Sequence, residues 1–474
     1  MYERLSRWML PTVLAILVLA PAAGVVLNGR NLQAVNHYAA ASVASGAAEW
    51  LLRLATLSVV ALSGLVVLDR MLLRPLEWPK PRQSMLLAAF LLFFATNVLL
   101  PGLFGQVPGT DRGYIYAFLL FLAVFFARTD GSEHLVDVAK WSIMLLVLGS
   151  FVFIVLRPDS VLRTDAAELR LPGVPFRLWG LSSSPNSLGP ISLTLLLITI
   201  VRPFASRLLT VVALVAGTMS LVLSQSQTSW IAAVVIVPPL LLYRRQLATR
   251  GSVSISVPAW VWLPLAASVL AGLVLVLTSF LGALPQPVEI TPGLQSTSGD
   301  FLTGRGAIWR LAWRLFTDNP FFGYGTPAWA EAFRTAMNMP FAYHAHNQVM
   351  QSLSVAGSVG VIGLAVYWVV LARGSLRAAA ATGGLAPALA ALATIGSISE
   401  APLDLATPLL GETLRHALLF GMILSAYARE PQPSAEVEAA GSEPARPRVP
   451  APRPAPRRPT VAAHRPSPRG PRIA

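Results

Sequence analysis

Tyr343-His344-Ala345-His346-Asn347-Gln348 brings two of the chain's six histidines within three residues, at the mouth of a long apolar stretch. Paired imidazoles do one of two things: hold a metal, or move a proton. A metal site is disfavoured because few carboxylates lie nearby in sequence and the chain contains no cysteine, so no metal ligand set is assigned. General-base chemistry fits better. At a helix N-terminus, with arginines close by, an imidazole is held neutral and able to accept a proton. Two residues apart on a helix point to nearly opposite sides, so the pattern predicts that one of His344 and His346 acts.

A second candidate precedes them. The spacing of Ile308, Leu311, Ala312, Leu315 and Phe316 predicts an amphipathic helix over 305–317, with Arg310 and Arg314 on its wet face. Arg305 projects onto the apolar side with Trp309 and Phe316, in the first turn, where the helix dipole disfavours a cation. Either it faces an anion, or it snorkels past the helix end. Thr317-Asp318-Asn319-Pro320 ends the helix, and Phe321-Phe322-Gly323-Tyr324-Gly325 continues as turns. No strand precedes that glycine pair and no Lys-Ser/Thr follows it, so it reads as a positioning segment and not a nucleotide loop. After the histidines, Asn347, Gln351, Ser354 and Ser358 form a polar stripe on one face, suited to a bundle interior or a wet cavity. Gly357 and Gly360 allow close helix packing.

The elements that must position these residues are membrane helices. Of 474 residues, 54% are hydrophobic and only 12% charged, with mean hydropathy +0.61. A soluble protein carries about twice that charged fraction. About twelve apolar stretches recur, near 9–28, 54–69, 84–105, 113–127, 139–156, 187–201, 207–223, 228–243, 258–282, 347–371, 378–398 and 411–428. Ala20-Pro21-Ala22 resembles a signal-peptide cleavage site, but the apolar run continues to Val26. The prediction is an all-α polytopic membrane domain over 1–428.

Arg4 and Arg7 place the N-terminus inside, and the basic residues at 70–82, 202–207, 244–250 and 373–377 then fall inside as well. The even count returns the C-terminus to the cytoplasm. Two longer segments, 157–186 and 283–345, fall outside; the second is large enough to fold on its own. The first carries Arg157, Arg163, Arg170 and Arg177 against the orientation rule, which points to a task other than topology. Residues 429–474 form a Pro/Arg-rich tail expected to be disordered. Its eight arginines after Glu443, without an acid among them, account for more than half of the net charge of +14. The high pI is therefore no sign of nucleic-acid binding.

With these motifs in place, the chain resembles the bacterial O-antigen ligases and the related O-antigen and exopolysaccharide (Wzy-like) polymerases. The ligase pattern of His, Asn, nine residues, Gly, two residues and Gly is matched by His346, Asn347, Gly357 and Gly360. Thr303-Gly304-Arg305, Trp309 and the run 319–325 are similar to the family's Arg-to-Gly-x-Gly segment. Arg177, Gly180 and Pro185-Asn186-Ser187-Leu188-Gly189 resemble its Arg…Gly…Pro-Asn-x-Leu-Gly stretch. Ser224-Gln225-Ser226-Gln227-Thr228-Ser229-Trp230 resembles a segment that usually carries Lys or Arg where this chain has Gln227. The likeness spans roughly 175–410.

The resemblance implies a GT-C-like membrane glycosyltransferase of the bacterial inner membrane with a periplasmic active site. It would move a glycan from undecaprenyl diphosphate to an acceptor hydroxyl, with inversion and without metal or other cofactor. Carried over by position, His346 is the expected general base and Arg305 holds the leaving diphosphate, assisted by Arg177. Asn186, Gln227, Asn347 and Glu400 join as substrate-binding candidates, with Glu400 or Asp404 able to orient His346 or bind acceptor hydroxyls. A chain-length regulator or another polysaccharide-assembly protein is the implied protein partner. The charge-derived topology puts Arg177, Gln227, Arg305, His346 and Glu400 on one face of the membrane.

The acceptor is a growing repeat-unit chain for a polymerase and a lipid A core sugar for a ligase. The His-Asn…Gly…Gly spacing is the ligase pattern; the 223–228 segment looks more like the polymerases, towards which the reading leans slightly. A transporter or flippase would instead predict inverted repeats and a midplane site. The polar residues here cluster at one rim.

Overall fold

The computed structural model describes residues 2–34, 46–73, 79–127, 132–165, 169–250, 305–339, 342–406 and 411–429. The chain is mostly helical: α1 (Tyr2–Leu27), α2 (Gly46–Leu68), α3 (Pro81–Phe94), α4 (Arg112–Phe126), α5 (Ser132–Leu156), α6 (Pro185–Val201), α7 (Arg207–Leu223), α8 (Gln227–Arg250), α9 (Arg305–Asp318), α10 (Glu331–Ala336), α11 (Gln348–Arg377), α12 (Leu385–Gly396) and α13 (Gly411–Arg429). Eleven of the twelve predicted apolar stretches fall on these helices; the stretch 258–282, the segment 283–304 and the tail from 430 lie outside the described residues.

Among the described residues, six helices are long and apolar enough to cross a membrane, and four shorter apolar helices accompany them. Polar side chains mark several starts. Asp111 caps α4 through the Gly113 amide at 2.6 Å, Ser184 caps α6 through Ser187 at 3.1 Å with Pro185 in the first turn, and Asn347 caps α11 through Met350 at 2.9 Å. α13 is buried on nearly every side from Thr413 to Tyr427 and runs through the bundle core.

A short strand pair accompanies the helices. In the 157–186 segment, Leu162–Arg163 pairs antiparallel with Leu178 and Arg177 as a two-residue ladder. Beyond the main core, Ile308, Trp309, Leu315, Trp329, Phe333 and Met350 belong to a second apolar cluster that packs α9 and α10 against the start of α11. As α9 predicts, Arg310 and Arg314 are exposed while Ile308, Ala312 and Leu315 are buried.

α11 is broken in its middle. Gly357 has φ 64°, ψ −158°, and a Cβ there would meet the backbone of Phe321 at 2.5 Å. The segment 319–325 fills the break: Tyr324 N donates to Ser354 O at 2.8 Å, Gly325 N to Val355 O at 3.0 Å, and Ser358 N to Pro320 O at 2.8 Å. The backbone groups released by the break are thus satisfied. Gly357 serves this inserted segment instead of plain helix–helix packing. Gly360 does pack closely, with Asn97 donating to its carbonyl at 3.0 Å from a π-helical turn at Ala95–Leu99.

Candidate active site

His344 and His346 do not lie on a helix. α11 begins at Gln348, and His346 holds a left-handed backbone (φ 48°), an uncommon conformation for a residue with a side chain. The turn brings both rings to one side, with centroids 4.2 Å apart. The expectation that they point to opposite sides, which rested on helical geometry, is overturned for this reason.

Both rings face Glu400. His346 Nδ1 lies 3.0 Å from Glu400 Oε2 and His344 Nε2 lies 3.3 Å from the same oxygen. The other oxygen, Oε1, accepts from Arg305 Nη2 and from Asn186 Nδ2, each at 3.1 Å. All five side chains of the cluster are partly buried. Desolvation, the largest influence on Glu400, opposes its ionisation; the electrostatic attraction and hydrogen bond of His346, with the attraction of His344 and Arg305, outweigh it and hold the carboxyl at about 2.

His344 is pushed down to about 3, first by burial and then by His346, against an opposing pull from Glu400, with a smaller lowering from Arg305. Its tautomer follows from the backbone. The His346 amide donates to His344 Nδ1 at 3.0 Å, so the single proton sits on Nε2, towards Glu400. His346 presents Nδ1 to the carboxylate in turn, which leaves Nε2 as its proton acceptor.

The two loops carrying these groups are fastened together. Gln348 N donates to Ser397 O at 2.9 Å, Asn347 Nδ2 to Ile398 O at 3.1 Å, and Leu403 N to Gln348 Oε1 at 2.8 Å. Trp309 Nε1 donates to Ala345 O at 2.9 Å, and Gln351 Oε1 accepts from Ala345 N at 2.9 Å. The polar stripe of α11 thus fastens neighbouring segments: Trp329 reaches Ser354 and Ser358 reaches Pro320 O. Asn347, expected to bind substrate, spends its side chain on the helix cap and on Ile398.

Arg177 stands one step behind. It donates to Ser224 O at 2.9 Å, to Gln225 O at 3.4 Å and to Asn186 Oδ1 at 3.1 Å. Arg177, Asn186, Glu400 and His346 thus form one hydrogen-bonded chain, in which Arg177 positions Asn186. Gln227 is exposed in the first turn of α8 and stands outside this chain. Gln225 does the fastening instead: its side chain donates to Phe176 O at 2.8 Å and accepts from Leu171 N at 3.1 Å. Asp404 folds its own loop, accepting from Ala406 N at 3.2 Å; burial pushes its carboxyl up to about 6, against the backbone bonds that lower it.

Arg30 carried no signal in the sequence. Its guanidinium donates to Ser160 O at 2.9 Å, to Ser182 O at 2.7 Å and to Gly180 O, fixing the loop that leads to Arg177 and Asn186. Burial lowers its pKa to about 10, so it stays charged.

His344, His346 and Glu400 offer ligand atoms within 4.8 Å of one another, a spacing that a cation can bridge. The charge pattern opposes one: Arg305 already sits on the same carboxylate, and the imidazole nitrogens nearest it serve as N–H donors.

Fold and site together define a helical membrane protein whose partly buried carboxylate orients a histidine beside an arginine, equipment for proton abstraction next to an anion. Residues 212–396 match the family model described as O-Antigen ligase, so this segment of the chain is similar to that family. The matched span contains Arg305, His346 and Asn347 and ends just before Glu400. No curated protein matches the chain.

Proposed function

We propose that the protein transfers a glycan from undecaprenyl diphosphate to a sugar hydroxyl at the periplasmic face of the inner membrane, by an inverting, metal-independent displacement. The observation that carries this reading is the shared carboxylate: Glu400 holds His346 Nδ1 at 3.0 Å through one oxygen and Arg305 at 3.1 Å through the other. In the proposed step the acceptor oxygen attacks the anomeric carbon as His346 Nε2 takes its proton. The bond from that carbon to the diphosphate oxygen breaks, and the lipid diphosphate leaves with the electron pair. Glu400 keeps the proton of His346 on Nδ1 and stabilises the imidazolium that forms. Without a divalent ion, the departing charge needs a fixed cation, and the planar guanidinium of Arg305 suits phosphate oxygens.

Ligase and polymerase share this chemistry and differ in acceptor; the slight lean remains towards repeat-unit polymerisation. The test is transfer by the purified protein in EDTA with a lipid-linked repeat unit. A ladder of repeat multiples supports polymerase action, and a single addition to a lipid A core supports ligase action. Donor that is never consumed, yet crosses a reconstituted bilayer, supports a transporter and overturns the proposal.

A further inference from the structure

One cavity beside the site has no task in this scheme. It is lined by Glu400 and runs between the N-terminal ends of α6, α8 and α13 and the C-terminal end of α12, with Asn186, Thr228, Ser399, Glu412 and Arg415 also in its wall. It measures about 410 Å³ including its open mouth, and its interior suits hydroxyl-sized groups better than a whole sugar ring.

α13 carries Glu412 and Arg415 into this wall. Three residues apart, they share a helix face, and Arg415 Nη2 donates to Glu412 Oε1 at 3.2 Å. That bond leaves an atom of each group over. Glu412 Oε2 and Arg415 Nη1 are buried and, among the described residues, have no hydrogen-bond partner. Arg415 is only 8% exposed. A buried donor or acceptor left unpaired costs about 1–3 kcal/mol, and more when charged. Ion pairs set into an otherwise apolar helix of a membrane bundle mark functional positions.

A spare acceptor beside a spare donor selects the chemistry of the occupant. A phosphate is repelled by Glu412, a cation by Arg415, and an apolar group leaves both atoms unpaired. A hydroxyl satisfies both, donating to the carboxylate and accepting from the guanidinium.

We infer that Glu412 and Arg415 form a hydroxyl-binding subsite that takes one edge of a sugar ring, with Glu412 Oε2 accepting and Arg415 Nη1 donating, next to the carboxylate that orients His346. This rests on the glycosyl-transfer reading and deepens it. The sugar belongs either to the lipid-linked donor or to the acceptor, and kinetics distinguish them.

The experiment uses the full chain in nanodiscs, with lipid-linked glycan donor and acceptor varied in turn for wild type and Glu412→Gln. The substitution keeps the size and one oxygen for Arg415 while replacing the spare acceptor with an amide. Apparent KM for one of the two substrates rises about 10–100-fold, exceeding any fall in kcat, and the substrate whose KM moves owns the hydroxyl. Arg415→Lys provides the same reading should Glu412→Gln not fold. Saturation-transfer NMR with methyl glycosides of common hexoses gives a readout independent of turnover: signal from wild type and its loss in the variant support the subsite. Unchanged KM in folded variants that still transfer glycan overturns the subsite alone and leaves the transfer reading standing. Absence of transfer by wild type, with glycoside binding that ignores both substitutions, overturns the two together.

Discussion

His346 and Glu400, fifty-four residues apart in the chain, meet at 3.0 Å between Nδ1 and Oε2. Neither sits in a helix. Their two loops are fastened together through Asn347 and Gln348, and the pair has the geometry of a base and the group that orients it.

Glu400→Gln keeps the size but removes the charge that fixes the His346 tautomer. Transfer is expected to fall by about 10²–10⁴-fold in kcat, the range associated with misoriented histidine bases. Single-turnover assays on folded variant check it. A rate near wild type removes Glu400 from the mechanism.

Arg305→Lys preserves one charge and loses the planar fork. About a tenfold loss or more is expected in kcat, and a loss of about 10²-fold or more for Arg305→Ala. Rates for both variants at saturating donor test this; a lysine variant equal to wild type contradicts the diphosphate role.

Gly357→Ala introduces a Cβ into the backbone of Phe321, at a φ of 64° that disfavours any side chain. A destabilisation of about 2–4 kcal/mol is expected, seen as a lower apparent Tm in detergent. An unchanged Tm means that the break in α11 is not required.

Asp404 is pushed up to about 6, chiefly by burial. A raised folded pKa means that the folded state binds the extra proton between about pH 4 and 6, so this contribution to stability is present below pH 4 and lost as pH rises through 6. Asp404→Asn removes the loss, since the amide oxygen still accepts from Ala406 N. The variant's Tm should exceed wild type by a few degrees at pH 7.5 and match it at pH 4. His344, with its folded pKa lowered to about 3, has the opposite slope: its stability contribution is full above about pH 6.5 and declines as pH falls towards 3.

The helices were readable because apolar runs and the period of α9 are local properties of the chain. Ile308 to Leu315 show their face through spacing alone, and Arg305 and His346 stood out by type and position, whereas Arg177 and Glu400 entered as site residues only through the family resemblance. The rest depends on contacts without a period. The left-handed turn at His346, which brings His344 onto the same carboxylate, is set by bonds to Trp309 and Ser397 from distant parts of the chain and to Gln351 in the first turn of α11. Arg30 holds carbonyls about 150 residues away, which no spacing rule reveals. Arg305 needed an anion, and the sequence suggested the substrate; the structure supplies Glu400 first.

The most direct test compares wild type with His346→Ala, both purified and folded, given an undecaprenyl-diphosphate glycan, an acceptor and EDTA. The account predicts product from wild type and none above background from the variant, with membrane insertion and Tm retained. Product formed by His346→Ala at the wild-type rate, or by wild type only when a divalent ion is restored, would contradict it.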